Sequence, residues 1–542
     1  MEAQAAEVSQ RTTRIEWGLL AVIVCVVVVV TAGTANRYGT TYDEPHYASA
    51  GFAYAGWWTR VFTGDLSAFQ RDEIEQVWRL NHEHPPLQKC ASGFSQRWFQ
   101  RGLLAGLAAM RLPSAVWFAL TVAAVYLFTR RFWGRRGALF GALSLALMPR
   151  LVAHAHFNAL DMIIACWFFI TSAITAEALR RNSWRWAALA GLAFGLALMS
   201  KLNAFFLPVL LLPWGLVYYR GRWPKLVVPL VVIGPAVFVL GWPWLWIDFV
   251  PHVREYLAFH LRHADYNIWY LGRLWENEPA PWHYPFVLTA VTTPALVLGL
   301  SLVGAIRAWP RRDVSPEATL LLCGLLIALL PNALPNSPKY NGVRLFLPAF
   351  PFLAALAGGG FAWLQSKVTA LLKSDSPDRA RLAPLVAAAL GAILLLPGLS
   401  GVARTYPYQL AYYNSLVGGT KGATARGFET IYWGQSLAEA PPFLNSLQQP
   451  SPLVLVIPKG TIYLLELQQQ VGLVRPEVRF TGDETQAAVA DAVLFQAMQS
   501  DYTDLCWTLV RNADPTFAVT VEDTPVVLGY DRKTVLGTLL AQ

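Results

Sequence analysis

The sequence predicts a polytopic α-helical membrane protein of about eleven transmembrane helices, followed by a C-terminal α/β domain outside the bilayer. Three observations carry this prediction. Of 542 residues, 55% are hydrophobic and only 14% charged, and mean hydropathy is +0.38, far from an average soluble domain. The apolar residues fall in blocks of about 20, the length that crosses a hydrocarbon core. Arginines crowd into alternate short loops, and beyond Leu399 the apolar blocks cease.

The first block, 17–35, follows Arg11 and Arg14. Its small residues Ala32-Gly33-Thr34-Ala35 resemble a cleavage site, but the apolar run exceeds a signal-peptide core and reads as a retained helix. Further blocks span 111–129, 137–153, 158–178, 186–200, 203–219, 226–246, 286–306, 317–331, 345–364 and 383–400.

Loop charges set the topology. With the N-terminus inside, Arg130, Arg131, Arg135 and Arg136 share one cytoplasmic loop, and Arg180, Arg181 and Arg185 the next. Arg220, Arg222 and Lys225 follow, then Arg307, Arg311 and Arg312, then Lys367, Lys373, Arg379 and Arg381. The short outer segments hold only Arg150, Lys201, Lys339 and Arg344. This alternation is the positive-inside pattern, so the net charge of +9 needs no nucleic-acid partner. Both loops flanking Ser200-Lys201 are basic, which demands two short crossings there rather than one long one. Trp242, Trp244 and Trp246 read as an interfacial aromatic belt.

Two outer loops, 36–110 and 247–285, are long and rich in Trp, Tyr, His and Arg; they read as partly helical segments lying on the membrane. Residues 1–400 thus form the membrane domain and 401–542 the outer one. The tail carries strand-like runs at Leu453–Ile457, 478–481 and Ala492–Gln496, and a closing hairpin of 516–521 and 526–530. Helical patterns at 461–470 and 501–511 lie between them. Cys25, Cys166 and Cys323 sit in apolar blocks as packing residues. Cys90 and Cys506 share the outer side but show no metal or redox spacing, so they read as unrelated thiols.

Ionisable residues converge on the outer helix ends, where charge is costly unless paired or used. Asp43 and Glu44 lie in Thr41-Tyr42-Asp43-Glu44-Pro45-His46-Tyr47, and a carboxylate there suits a general base acting on a hydroxyl. His82, Glu83 and His84 precede Pro85-Pro86 and Lys89. They read either as ligands of a divalent metal or as a rigid turn aiming His84 and Lys89 at an anion. Asp161 opens the fourth block, as a helix cap or as a second acidic group of the same site. Lys201, Lys339, Tyr340 and Arg344, at outer helix ends, suit a lipid-linked phosphate.

Tyr42-Asp43-Glu44, Glu83-His84-Pro85-Pro86-Leu87 with Lys89, Ala159-Leu160-Asp161, Ser200-Lys201-Leu202 and Lys339-Tyr340 with Arg344-Leu345-Phe346-Leu347-Pro348 occur in this order. The series resembles the GT-C glycosyltransferases of the protein O-mannosyltransferase and aminoarabinose–lipid A transferase type. The resemblance implies inverting transfer of a sugar from a polyprenyl-phosphate donor at the extracytoplasmic face of the cell membrane. It places Asp43 as base, with Glu44 and Asp161 as its acidic companions. It makes His82, Glu83, His84, Lys89, Lys201, Lys339, Tyr340 and Arg344 the donor-binding set. No cofactor is required on this reading, although a divalent metal stays open. The partners implied are the lipid-linked sugar, membrane lipids and an acceptor protein, lipid or glycan. The competing classes are a transporter or flippase for lipid-linked sugars, a metal-dependent lipid-phosphate hydrolase or ligase, and a scaffold acting through its tail. A transporter places its charges near the midplane rather than at helix ends.

Overall fold

The computed structural model describes residues 14–100, 104–261, 266–276, 278–375 and 377–541, without the side chains of Ile15 and 373–381. The expected loop charge Arg11 and the side chains of Lys373, Arg379 and Arg381 therefore lie outside what is described. The chain is a mostly helical, multi-pass membrane protein capped by a small mixed sheet.

Every expected apolar block is helical, but the helices are unequal. Among the described residues six are long and apolar enough to cross a bilayer, including Leu107–Thr129, Leu160–Arg181 and Leu382–Arg404. Gly134–Ala146 and Pro149–Ala155 make a seventh only as a pair bent by 65°. Trp184–Leu198, Pro224–Leu240 and Ala295–Arg307 are shorter. Ser200-Lys201 does separate two helices, Trp184–Leu198 and Leu207–Tyr219, as the loop charges require. The expected count of about eleven crossings therefore rests on the charge pattern rather than on helix length.

The basic loops meet at one end of the bundle. Arg131, Arg180 and Arg181 converge on Glu177, Arg130 and Arg135 on Glu16, and Arg222 donates to the carbonyls of Leu179 and Arg180. The two long loops cover the opposite end. Loop 36–110 forms helices Glu44–Phe62, Arg71–Trp78 and Leu87–Phe99. The first and last of these pack at Gly51 and Gly93, where a Cβ on Gly93 would lie 1.9 Å from the Gly51 carbonyl oxygen. Loop 247–285 supplies helix Phe249–Leu261 and an antiparallel hairpin, β1 (Ile268–Tyr270) with β2 (Arg273–Trp275). The helix was anticipated; the hairpin, three residues a side, was too short to read.

The aromatic belt is corrected. Trp242 and Trp244 are buried at 0% and 1% exposure, and only Trp246 reaches the surface. Trp244 stacks on His252 and lies against His82, because helix Phe249–Leu261 folds back over it.

The tail sheet has the order β4-β3-β5-β7-β6, with β3 Leu453–Ile457, β4 Arg479–Thr481, β5 Ala492–Gln496, β6 Phe517–Val521 and β7 Thr524–Asp531. β3 runs parallel to β4 and β5, and β7 antiparallel to β5 and β6. Alternate residues face opposite ways: Val454, Val456 and Leu494 enter one core, and Leu455, Ile457 and Val493 the other. Glu522 and Asp523 close the β6–β7 hairpin with φ of 47° and 59°, the twist a two-residue turn needs. All five cysteines are free thiols. A third cluster ties tail to bundle, bringing Tyr432, Trp433, Met498 and Val526 against Tyr38, Tyr47, Phe157 and Leu160.

Candidate active site

Asp43 sits at the N-cap of helix Glu44–Phe62, with Pro45 in the first turn, yet its side chain makes no capping hydrogen bond. The carboxylate, 29% exposed, turns elsewhere. Its Oδ2 accepts from Arg344 Nη2 at 2.6 Å and from Trp433 Nε1 at 3.1 Å, whereas Oδ1 accepts from none of the described residues. Arg344 lies in the turn Arg344–Phe346 before helix Ala349–Asp375. Its Nε is 3.3 Å from Asp161 Oδ2, and Asp161 Oδ1 accepts from Lys201 Nζ at 2.5 Å. Asp161 occupies the first turn of Leu160–Arg181 but Ala159 takes the cap position, so the capping alternative fails.

The result is a row of alternating charge, Asp43–Arg344–Asp161–Lys201, assembled from four separate segments. Asp161 is fully buried and Arg344 nearly so, a placement that would be very costly without these partners. Arg344 also lies over the faces of Trp433, 4.3 Å from the ring centre, and Tyr340, at 5.9 Å. His84 stands beside the row, edge-on to Tyr47, with its buried Nδ1 free of any hydrogen bond. Burial first, then the cations Lys89, Lys201 and Arg344 and the ring of His260, hold His84 well below the usual imidazole range, so it is neutral. A neutral imidazole keeps one N–H to donate.

Other expected site residues have different partners. Glu44 is fully buried and accepts bidentately from Arg111 at 2.7 and 2.6 Å, and from the amides of Thr41 and Asn158. Arg111 spends its remaining donors on the carbonyls of Ala35, Tyr38 and Gly39. All four acceptor directions of Glu44 are filled, leaving it nothing to offer a substrate. His82 bridges Glu255 at 2.8 Å, fastening one long loop to the other, and Glu83 accepts from Asn81 at 2.6 Å within its own turn. Lys89 donates to the Asn81 and His84 carbonyls and to Asn81 Oδ1, and its burial pulls the ammonium down to about 7. Lys339 donates to the carbonyls of Leu334, Pro335 and Ser337. These two lysines brace their own loops, because buried ammonium groups take the nearest carbonyls. Among the described residues no three His, Cys, Asp or Glu side chains are grouped to hold a metal ion.

Arg111 and Arg150 were not anticipated as site residues; Trp433 ends the aromatic stretch 406–434, which the sequence offers either as an interfacial collar or as the lining of an acceptor path to Asp43, without foretelling its contact with that carboxylate. Arg111 was legible in principle, as an arginine opening an apolar block. Arg150, fully buried, lies over Tyr413 and Tyr432 and donates to the Tyr412 carbonyl, locking the segment after the last membrane helix beside the site. In that segment Glu429 is half-buried and accepts from Ser500, yet desolvation still pushes its carboxyl up to about 8; Asp501 beside it is pushed up to about 6.

Residues 85–247 match the family model of dolichyl-phosphate-mannose-protein mannosyltransferases. An undecaprenyl phosphate-alpha-4-amino-4-deoxy-L-arabinose arabinosyl transferase of Pectobacterium carotovorum is 30% identical over 317 residues, 54% of this chain and 52% of its own. Its namesake in Pseudomonas aeruginosa is 29% identical over 266 residues, 46% and 45% of the two chains. The chain thus spans about half the length of the curated relatives it matches. ArnT from Cupriavidus metallidurans, solved bound to undecaprenyl phosphate, superposes with a TM-score of 0.50 at 18% identity over 95% of this chain and 98% of that one. The likeness read from the short motifs holds in sequence and in fold: the chain has the architecture of a GT-C transferase and resembles the aminoarabinose-transferase type.

Proposed function

We propose that the protein is an integral-membrane, inverting glycosyltransferase that moves a sugar from a polyprenyl-phosphate carrier to an acceptor hydroxyl outside the cytoplasm. The observation that carries this reading is the row Asp43–Arg344–Asp161–Lys201. It offers one part-exposed carboxylate beside two cations at the end of the bundle opposite the arginine loops. Asp43 Oδ1 takes the proton of the acceptor hydroxyl as its oxygen attacks the anomeric carbon. The bond from that carbon to the phosphate oxygen breaks on the far side, and the lipid phosphate leaves with the electron pair. Arg344 and Lys201 neutralise the leaving phosphate, and the neutral His84 donates one further hydrogen bond. Asp161 is the counter-ion that keeps the two cations side by side.

The donor phosphate competes with Asp43 for Arg344. Donor binding therefore loosens the ion pair and frees the base, which favours donor binding before the acceptor. Glu44, His82, Glu83, Lys89 and Lys339 build the loops that hold these groups. No metal takes part on this reading, and turnover should survive exhaustive chelation. The curated relatives and the undecaprenyl phosphate held by ArnT support a lipid-phosphate carrier. The acceptor class, whether protein, lipid or glycan, is for the assay to settle.

The deciding experiment measures release of polyprenyl phosphate by the purified protein. Release should need both the sugar-charged lipid and a hydroxyl acceptor, and Asp43→Asn should abolish it while donor binding persists. Movement of the intact lipid-linked sugar across a vesicle membrane without release would support a flippase instead.

A further inference from the structure

Trp433 stands where no sequence pattern would place a bulky side chain. Its φ is +80°, in the left-handed region that is a genuine outlier for a large residue, and such strain persists only where the surroundings enforce it. The enforcement comes from both domains. Tyr42, the neighbour of Asp43, donates its amide to the Trp433 carbonyl at 3.2 Å. The following amide, Gly434, donates to the side chain of Gln496 at 2.9 Å, and that of Thr430 to Gln499 at 2.9 Å. Gln496 ends strand β5, and Gln499 lies three residues beyond it. Gly434 is required there, since a Cβ would lie 2.4 Å from the Tyr42 ring. So held, the indole N–H reaches Asp43 Oδ2 and the ring face covers the Arg344 guanidinium.

The geometry points to Trp433 as a positioning residue of the transfer reaction, presented to the membrane-domain site by the C-terminal sheet through Gln496 and Gln499. By occupying Oδ2 it fixes the rotation of the carboxylate and leaves Oδ1 facing the acceptor. The sheet thereby governs whether the base is aligned, which gives the tail a catalytic duty apart from any grip on the acceptor. This rests on the reading of Asp43 as the base.

The test uses the full-length protein and four variants, with donor affinity and turnover measured separately. Trp433→Phe keeps a ring over Arg344 but loses the N–H. It should lower kcat about ten- to a hundredfold, the effect of removing one hydrogen bond to a charged group, with donor affinity unchanged. Gln496→Leu and Gln499→Leu, which touch neither Asp43 nor Arg344, should show the same split, and retained donor affinity certifies that they fold. Full kcat in Trp433→Phe overturns the inference, as does a parallel fall in donor affinity and kcat, which marks a structural residue only. Asp43→Asn, run alongside, separates the two levels. If it is inert while Trp433→Phe is fully active, the inference alone fails; if Asp43→Asn turns over normally, the base assignment falls and the inference with it.

Discussion

The Arg344 guanidinium meets the Asp43 carboxylate at 2.6 Å, joining residues 301 positions apart in the chain. Arg344 has a second acidic neighbour in Asp161 and an aromatic face on Trp433. It is therefore the hub through which base, counter-ion and tail are coupled.

Arg344→Ala should weaken donor binding and lower turnover by about a hundredfold or more, because a preorganised charge at the departing phosphate is lost. Arg344→Lys should recover only part of this, since an ammonium cannot span Asp43 and Asp161 as a planar fork does. Equilibrium binding of the lipid phosphate, measured beside single-turnover rates, checks both. Unchanged affinity and rate in both variants would reduce Arg344 to an interfacial packing residue.

Much of this arrangement was legible in the sequence, for identifiable reasons. Membrane blocks are read by length and hydropathy, and the tail strands by short β-branched runs with turn residues between them, so β3 and β5 fall where expected. Asp43, Asp161, Lys201 and Arg344 stood out because charge at a helix end in a bilayer needs a reason. What sequence does not encode locally is which charge takes which partner. Glu44 and Asp43 are adjacent, yet the helix start turns one toward Arg111 and the other toward Arg344. Lys89 looked a stronger ligand for the phosphate than Lys201, and Lys339 an equal one, until their nearest carbonyls were known. Trp433 was invisible as a contact of Asp43, because its place depends on a left-handed backbone and on two glutamines at and just beyond the end of a distant strand.

Glu44→Gln should cost stability rather than chemistry. The change keeps size and one acceptor oxygen but leaves Arg111 as a buried charge without its counter-ion, and breaking such a pair costs about 3–5 kcal/mol. The melting temperature and yield of membrane-extracted protein should fall, while the folded fraction keeps near-normal kcat per active site. A stable Glu44→Gln protein without turnover would move the catalytic role from Asp43 to its neighbour.

The tail should lose stability as pH rises. Burial lifts the Glu429 carboxyl from its ordinary 4.5 to about 8, so between those values the unfolded chain has released a proton that the native state keeps. Stability then declines from about pH 4.5 to about pH 8 and levels off above, with Asp501 adding the same trend up to about pH 6. Glu429→Gln retains an oxygen for Ser500 and cannot ionise. Its melting temperature should gain on the parent as pH is raised from 5 to 8. A gap that stays constant across that range would show that Glu429 ionises in the native state at its ordinary value, as it does in the unfolded chain.

The outward placement of the site is a proposal that rests on the positive-inside pattern, and the structure sharpens its test. Glu177 and Glu16 gather arginines from separate loops at one end of the bundle, while Asp43 and the sheet lie at the other. One labelling experiment therefore reports on loops, site and tail together. Gly418 is a poor place for a probe, since its φ of +80° strains any other residue, but Ser415 nearby is exposed. In a background with the five native cysteines replaced, Ser415→Cys should react with a membrane-impermeant thiol reagent added to intact cells. Arg311→Cys, exposed in an arginine loop, should react only after the membrane is opened. The reverse pattern would put the alternating charge row in the cytoplasm. The donor would then have to be loaded and spent on the inner leaflet, and an extracytoplasmic transferase would no longer be a tenable reading.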